Sequence, residues 1–337
     1  MLRRLALPSL ALAATVVVAG CGSSDKPKAP PGVPQKTFEQ QLAEASSSTR
    51  ADFPATQGRT LQQIADTASA GNQVGFATSE LIPGKQRLAF GVLDRKNAFV
   101  YGKTAVYIAP NPNAPAKGPY PAPADSLLTR PQFRSQTAAA ENSPIASIYE
   151  AQVPFPKAGQ YAILVVTKRG AKLLGAPAQV QVKAKTKIPN VGQKPPATDT
   201  ETVAGSGGNI KEVDTRVPPA PELHKTNFKD VLGSKPVALL FATPQLCQSR
   251  VCGPVVDIEL QMKEKYGDRM TFIHQEVWEN NQLNSQLRAP LRAFHLETEP
   301  WLFTVRKDGT IAQRLEGSFG VNAFEGAVKK ALGQSAS

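Results

Sequence analysis

The sequence predicts a two-domain chain, in which an all-β antiparallel sandwich is followed by an α/β domain. Short apolar stretches with a period of two, divided by Gly and Pro, fill much of residues 37–184 and are typical of a sandwich. Residues 222–337 instead contain a continuous apolar run followed by alternating helical and strand patterns, as in α/β domains. Residues 185–221 are rich in Pro, Gly and Thr and nearly free of large apolar side chains, so we expect a flexible linker there.

Residues 1–20 have the pattern of a secretory signal. A short basic start precedes a mainly apolar stretch that is too short for a membrane span, which needs about 20 apolar residues. The stretch ends in Val-Ala-Gly-Cys at Cys21, and this ending resembles the lipobox of bacterial lipoproteins. The resemblance implies cleavage before Cys21, acylation of that cysteine (palmitate included), and a lipid-anchored protein on the extracytoplasmic face of the cell membrane. The alternative is an ordinary signal peptide whose cleavage site happens to precede a cysteine.

Residues 21–36 are rich in Pro, Lys and Ser and are expected to form a disordered tether. The net charge of the chain is +12, and most of the basic excess lies before residue 217. Such diffuse charge favours solubility and non-specific contacts with anionic lipid or cell-wall polymer. Because no dense Lys/Arg cluster with interleaved aromatic residues occurs, we expect no nucleic-acid partner. We also expect no cofactor.

The first domain, 37–184, opens with two helical patches and continues as short strands. The patches lie at 37–45 and 61–68, and strands are predicted at 86–93, 98–110, 147–156, 160–170 and 176–184. Residues 111–131 are too polar and too rich in Pro to be core, so we expect a loop. The later strands resemble those of an immunoglobulin-like module, which implies a spacer or docking domain without site chemistry.

The second domain has a different order of elements. Strands are predicted at 235–243, 269–278, 300–307 and 311–317, with helices at 253–267, 322–332 and most of 280–294. This β-α-β-α-β-β-α order resembles the thioredoxin superfamily. Two local landmarks strengthen the resemblance: Cys252-Gly253-Pro254 matches part of the family's Cys-Gly-Pro-Cys motif, and Glu299-Pro300 lies where the family has its cis-proline. The resemblance implies an α/β thioredoxin-like fold and thiol–disulfide oxidoreductase activity.

Several residues depart from the family pattern. Val255 occupies the position of the second cysteine, and Cys247 lies upstream, so the two cysteines are separated by four residues. The strand over 236–243 contains no Asp or Glu, so the family's buried carboxylate is missing from its usual position. Outside the cytoplasm, two nearby cysteines are expected to form a disulfide at least part of the time.

If the pair is redox-active, its chemistry depends on the thiolate. A helix N-terminus lowers a thiol pKa, so Cys252 is expected to attack and Cys247 to resolve the mixed disulfide, or the roles are reversed. Arg250 adds positive charge nearby. Pro300, if cis, would let backbone groups pair with an extended substrate. The expected partners are thiols and disulfides of exported proteins, with an unidentified protein that resets the pair.

Two alternatives stay open. In one, the protein is a non-enzymatic binding scaffold whose Cys247–Cys252 disulfide is structural, a clip that contributes on the order of 2 kcal/mol. In the other, the two cysteines bind a metal with His295 as third ligand. The chain has three histidines, too few for a histidine-rich metal site, and His274 is interpreted as a satisfied sheet residue, so no metal is expected. Trp301 is interpreted as core.

Overall fold

The computed structural model describes residue 29 and residues 33–139, 145–247 and 251–335. Cys21, the signal at 1–20 and most of the expected tether at 21–36 lie outside these residues, so cleavage and lipidation stay predictions. Within the part of the chain that the structure describes, no helix is both long and apolar enough to cross a membrane.

The N-terminal unit consists mainly of two sheets. The elements are α1 (Gln35–Ser46), α2 (Leu61–Ala65), β1 (Ser69–Ala70), β2 (Gln73–Phe76), β3 (Gly84–Leu93), β4 (Lys103–Ala109), β5 (Lys117–Pro121), β6 (Ala124–Ser126), β7 (Ser147–Phe155), β8 (Gly159–Arg169) and β9 (Lys172–Val182). One sheet has the strand order β1-β9-β8-β4-β5 and the other β2-β3-β7-β6. Apart from the short parallel pair β1–β9, the neighbouring strands are antiparallel.

Apolar side chains on both faces of β4 and β8 explain how this unit is packed. Phe90 of β3, Tyr149 of β7 and Ile163 of β8 belong to one apolar cluster that joins the two sheets. The opposite face of β4 and β8 is also covered, because Ile64 of α2 packs with Tyr107 in a second cluster. Residues 161–167 are therefore buried without interruption, as a strand covered on both faces should be.

The predicted loop at 111–131 is partly wrong, because it contains β5 and β6. Both strands lie at the edge of their sheets. Prolines at 119 and 121 are compatible with an edge position, since an edge strand leaves half of its N–H groups unpaired. The proline-rich composition that argued against core structure is thus the composition of an edge strand.

The C-terminal unit contains a mixed four-stranded sheet covered by helices. Its elements are α3 (Ile210–Val213), α4 (Phe228–Val231), β10 (Val237–Phe241), α5 (Cys252–Tyr266), β11 (Thr271–Gln275), α6 (Ala289–Phe294), β12 (Trp301–Val305), β13 (Ile311–Glu316) and α7 (Val321–Ala331). The strand order is β11-β10-β12-β13; the pair β10–β11 is parallel, and β10–β12 and β12–β13 are antiparallel. From β10 onward the predicted order of elements is observed, so the chain as a whole is mixed α/β with mostly β-sheet.

Helices cover both faces of this sheet. Helices α5 and α7 pack on one face, where Leu240 and Leu302 contact Phe324. Helices α4 and α6 pack on the other, where Phe228 and Phe294 join the apolar cluster of the sheet. The predicted helix over 280–294 is shorter than expected, since only Ala289–Phe294 is α-helical. Three asparagines at 280, 281 and 284 adopt positive φ, a conformation that Asn tolerates and that interrupts a helix.

Residues 185–221 were expected to form a flexible linker with few contacts, but several of these residues are buried or hydrogen-bonded to the rest of the protein. Ile188 and Val213 are buried, and the N–H of Gly192 donates to Ile311 O at 2.9 Å, beside the edge strand β13. Arg216 is buried against α5, where its Nε lies 3.0 Å from Asp257. A segment poor in apolar side chains is held here mainly by polar groups, whose hydrogen bonds replace those to water.

Candidate functional site

The two candidate cysteines belong to the loop that joins β10 to α5. Strand β10 is buried along its whole length and ends at Phe241. The chain then turns, and the N–H of Cys247 donates to Thr243 O at 3.1 Å. Helix α5 begins at Cys252. Residues 248–250, Arg250 included, lie outside the described residues. The described part of the loop places both cysteines at the C-terminal end of β10.

Cys247, Cys252 and Glu299 form one cluster. Their sulfur and carboxylate atoms all lie within 4.8 Å of one another. Both cysteines are thiols; Cys252 is buried and Cys247 is half-buried. Glu299 precedes Pro300, and the peptide bond between them is cis. The structure therefore brings the predicted cysteines beside the predicted cis-proline segment.

The environment of Cys252 differs from the expected one. Burial, followed by the hydrogen bond and charge of Cys247, raises the pKa of the Cys252 thiol well above its ordinary value, and the N–H of Thr243 opposes this only in part. Its side chain is completely buried. The expectation that the helix start would favour a Cys252 thiolate is wrong, because loss of hydration outweighs the field of the helix N-terminus.

Glu299 is a site residue that the sequence analysis did not assign. Burial, and then the charges of Cys247 and Glu276, raise the pKa of Glu299 to about 8. Its Oε2 is buried without a hydrogen-bond partner among the described residues. Strand β10 contains no Asp or Glu, yet a carboxyl group reaches the cysteines from the segment before β12. The only feature of the sequence that could have identified Glu299 as a site residue is its position next to Pro300.

An open pocket of about 320 Å³ lies beside Cys247. Cys252 does not line it. Leu283 is 42% exposed, an unusual degree for a leucine and one that leaves apolar surface at the pocket rim. The apolar lining residues are Val277, Trp278, Leu283 and Leu287. Cys247 is therefore the sulfur that an incoming apolar segment would meet first.

The start of α5 is held from both sides. Ser135 of the N-terminal unit donates to Asp257 from its N–H at 3.0 Å and from its Oγ at 3.1 Å. Arg216 donates to the other oxygen of Asp257. A Cβ added to Gly253 would overlap Thr137, so the helix and the N-terminal unit approach more closely here than any other residue would allow. The position of Cys252 is thereby tied to both units.

The other residues singled out from the sequence have separate positions. His295 is exposed and caps α6, and the group formed by the two cysteines contains Glu299 and not His295. His274 is buried in β11, with its Nε2 2.9 Å from Ala242 O. Trp301 is buried and stacks on Phe303, which confirms the core interpretation.

Comparisons with known proteins give limited similarity. No family model matches the chain, and no curated protein matches it. Among solved structures, a thiol:disulfide interchange protein DsbE from Chlorobium tepidum is similar at 15% identity and a TM-score of 0.30, over 43% of this chain and 99% of that chain. The PKD domain of the human VPS10 domain-containing receptor SorCS2 is similar at 14% identity and a TM-score of 0.18, over 49% and 98% of the two chains. At these low scores, the description of fold and site rests on this chain's own elements.

Proposed function

We propose that the protein is a membrane-anchored, extracytoplasmic thiol–disulfide oxidoreductase that acts on exported proteins through Cys247 and Cys252. The observation that carries the proposal is the arrangement of the site: a half-buried thiol facing an apolar pocket, a second thiol buried behind it, and a carboxyl group with a pKa near that of a thiol within 4.8 Å of both. A structural clip needs neither the pocket nor the carboxyl group.

In this proposal residues 222–337 form a thioredoxin-like domain and residues 37–184 an immunoglobulin-like sandwich. The element order from β10 to α7, the mixed sheet and the cis bond before Pro300 support the first assignment. The two antiparallel sheets support the second. The signal-like residues 1–20 and Cys21 support export and lipid anchoring.

The first chemical step is attack by the Cys247 thiolate on a disulfide of the substrate. The substrate S–S bond breaks, a mixed disulfide forms between Cys247 and one substrate sulfur, and the other substrate sulfur leaves as a thiolate that takes a proton from water. Cys247 has this role because attack requires access, and Cys252 is fully buried.

The second step is attack by Cys252 on the Cys247 sulfur. Cys252 must first lose its proton, and the Glu299 carboxylate is within reach to accept it. The pKa of Glu299, raised to about 8, is closer to that of the buried Cys252 thiol than an ordinary glutamate's would be, so the transfer costs less free energy than it would with an ordinary glutamate. The mixed disulfide breaks, the Cys247–Cys252 disulfide forms, and the substrate leaves with two thiols. A dithiol of a second protein then reduces the Cys247–Cys252 disulfide. In the opposite direction, the same steps run in reverse order and the disulfide oxidises a substrate dithiol.

Redox titration of the full chain tests this proposal, with Cys21→Ser present so that the pair alone is measured. We expect a reduction potential above about −300 mV, in the labile range. Cys247→Ser should abolish exchange with a model disulfide, and Cys252→Ser should trap a mixed disulfide at Cys247. Ser135→Ala, which leaves both sulfurs in place, is the control for altered packing of α5.

The alternative is a binding scaffold in which the two cysteines form a permanent disulfide. It predicts a potential well below about −300 mV, no trapped intermediate, and equal losses of stability for the two serine variants. That combination would overturn the oxidoreductase proposal. Trapping at Cys252 instead of Cys247 would leave the activity in place and overturn the assignment of roles.

A further inference from the structure

A second cluster of potential ligands lies apart from the cysteine loop, inside the C-terminal unit. Asp214, His224 and His274 are each at most 4% exposed. Asp214 follows α3, His224 follows a short 3-10 turn, and His274 belongs to β11. Three separate segments thus bring two imidazoles and a carboxylate to one buried point.

The donor atoms have the spacing of a tetrahedral metal site. His224 Nε2 and His274 Nδ1 are 3.2 Å apart, and the nearest Asp214 oxygens lie 3.6 Å from the first and 3.8 Å from the second. Zinc binds imidazole nitrogen at 2.0–2.1 Å and carboxylate oxygen at 2.0–2.2 Å, which places neighbouring donors of a tetrahedron about 3.3–3.5 Å apart. An ion fits between these atoms with small adjustments.

The groups around the ligands hold them as metal ligands are usually held. His274 Nε2 lies 2.9 Å from Ala242 O and must donate to it, so Nδ1 of the neutral ring carries a lone pair, which faces His224 Nε2 at 3.2 Å. The carboxylate of Asp214 accepts the N–H of Arg216 at 2.8 Å and that of Ala220 at 2.6 Å. These bonds hold both ligands in place. Each carboxylate oxygen keeps a further lone pair for an ion, which would replace the hydrogen bond between the two imidazoles.

We propose that Asp214, His224 and His274 bind one divalent transition-metal ion of the zinc type, as a structural site that ties residues 214–224 to β11. The site is independent of the proposed redox activity. Zinc is favoured over octahedral ions because the donor spacing is wider than an octahedron of similar bond lengths gives, and the ligands are nitrogen and oxygen.

The test uses the full chain with all three cysteines changed to serine, so that thiols cannot bind the ion. After chelator treatment, Zn²⁺ alone is titrated calorimetrically, and unfolding is followed with and without Zn²⁺. We expect one ion per chain and a higher melting temperature with zinc. Asp214→Asn and His224→Gln should each weaken binding by at least about 100-fold, judged against the 10- to 100-fold loss typical of changes to outer-shell partners. His295→Gln, the exposed histidine, is the matched control and should bind as the parent does.

Cobalt substitution of the same parent protein gives a measurement that does not depend on folded variants. A tetrahedral Co²⁺ spectrum without thiolate bands supports the site. Failure of the folded parent to bind either ion overturns the proposal, as does binding that survives both ligand changes or is lost in His295→Gln.

Discussion

At the scale of single residues, exposure decides which cysteine attacks in the proposed mechanism. Cys252 has the helix-start position that usually lowers a thiol pKa, yet burial has the opposite and larger effect. Cys247 has no helical position at all but lies at the pocket. The pKa of Glu299 also depends on its surroundings. A glutamate has a pKa closer to that of a thiol only where it is partly buried beside other acidic groups.

Glu299→Gln should change the pH dependence of stability. The folded-state pKa of Glu299 is raised from 4.5 to about 8, so between these values the folded protein holds a proton that the unfolded chain has lost. The stability of the unaltered protein therefore falls as pH rises through this window. The glutamine variant lacks this titration, so its free energy of unfolding should not fall in this window. Compared with the unaltered protein, the variant should therefore be more stable at pH 9 than at pH 5 by on the order of 2 kcal/mol, after allowance for partial exposure. Chemical denaturation at a series of pH values measures the difference.

Glu297→Gln is the matched control, because Glu297 is exposed and lines the same pocket as Glu299. Its free energy of unfolding should change with pH in the same way as that of the unaltered protein. If the slope between pH 5 and pH 9 is the same in Glu299→Gln as in the unaltered protein, Glu299 is not the group that holds the proton, and its role in deprotonating Cys252 is lost with it.

At the scale of elements, α7 depends on a cap from the other unit. Its own N-cap residue is Gly320, which has no side chain to offer. Asp125 of β6 accepts the N–H groups of Asn322 at 3.1 Å and Ala323 at 2.8 Å. A cap contributed across 197 positions of sequence is invisible to any local pattern, and it couples the last helix to the sandwich.

Asp125→Ala should lower the free energy of unfolding by about 1–2 kcal/mol, because two buried N–H groups lose their acceptor. Thermal and denaturant unfolding measure the loss. Asp230→Ala provides the comparison: Asp230 lies in the first turn of α4 but is exposed, so its loss should have little effect. Equal losses for the two variants would mean that the contact across the interface contributes nothing.

At the scale of the whole molecule, the two units share their packing. Ala89 and Ile148 of the N-terminal unit belong to the same apolar cluster as Leu315 and Phe324. The carboxylate of Glu316 accepts the N–H and Oγ of Ser79 at 2.9 and 2.6 Å. These contacts favour a chain that moves as one body, in which the sandwich supports the helix that carries Cys252.

Arg216→Ala should expose residues 185–221 to limited proteolysis. Arg216 donates to Asp257 and, at 2.7 Å, to the backbone carbonyl of Phe133. Its loss removes the positive charge beside a buried carboxylate, a change that costs about 3–5 kcal/mol when nothing compensates. Ser135 still donates two hydrogen bonds to Asp257, so we expect a smaller loss here. We expect the unaltered chain to resist cleavage in this segment and the variant to be cut there. Lys194→Ala, an exposed change in the same segment, should resist as the unaltered chain does. Rapid cleavage of the unaltered chain would restore the flexible-linker interpretation.

Cys21→Ala should release the protein from membranes or leave it uncleaved, if the proposed lipoprotein processing occurs. No membrane-spanning helix is found in the described residues that would hold it otherwise. Fractionation and mass spectrometry of the N-terminus measure both effects. A mature N-terminus other than acylated Cys21 in the unaltered protein would contradict the proposal.

The sequence by itself determined the elements whose patterns are local. The apolar run that became β10, the short apolar stretches that became β3, β7 and β8, and the helix beginning at Cys252 all follow from side-chain patterns within a few residues. Edge strands β5 and β6 were missed, because their Pro-rich and polar sequences are compatible with loops unless neighbouring strands supply the missing contacts. Helix α6 was predicted too long, because the asparagines that precede it adopt positive φ.

Only the tertiary structure decided which polar residues meet. Glu299 reaches the cysteines from 47 positions beyond Cys252, and Asp214 meets His274 across a still longer separation. No periodicity records such pairs, because side chains distant in sequence interact through the path of the whole chain. Burial, which reversed the expected pKa of Cys252, is likewise a property of everything packed around a residue. The sequence determined which chemical groups were available, and the packing of the chain decided which of them act together.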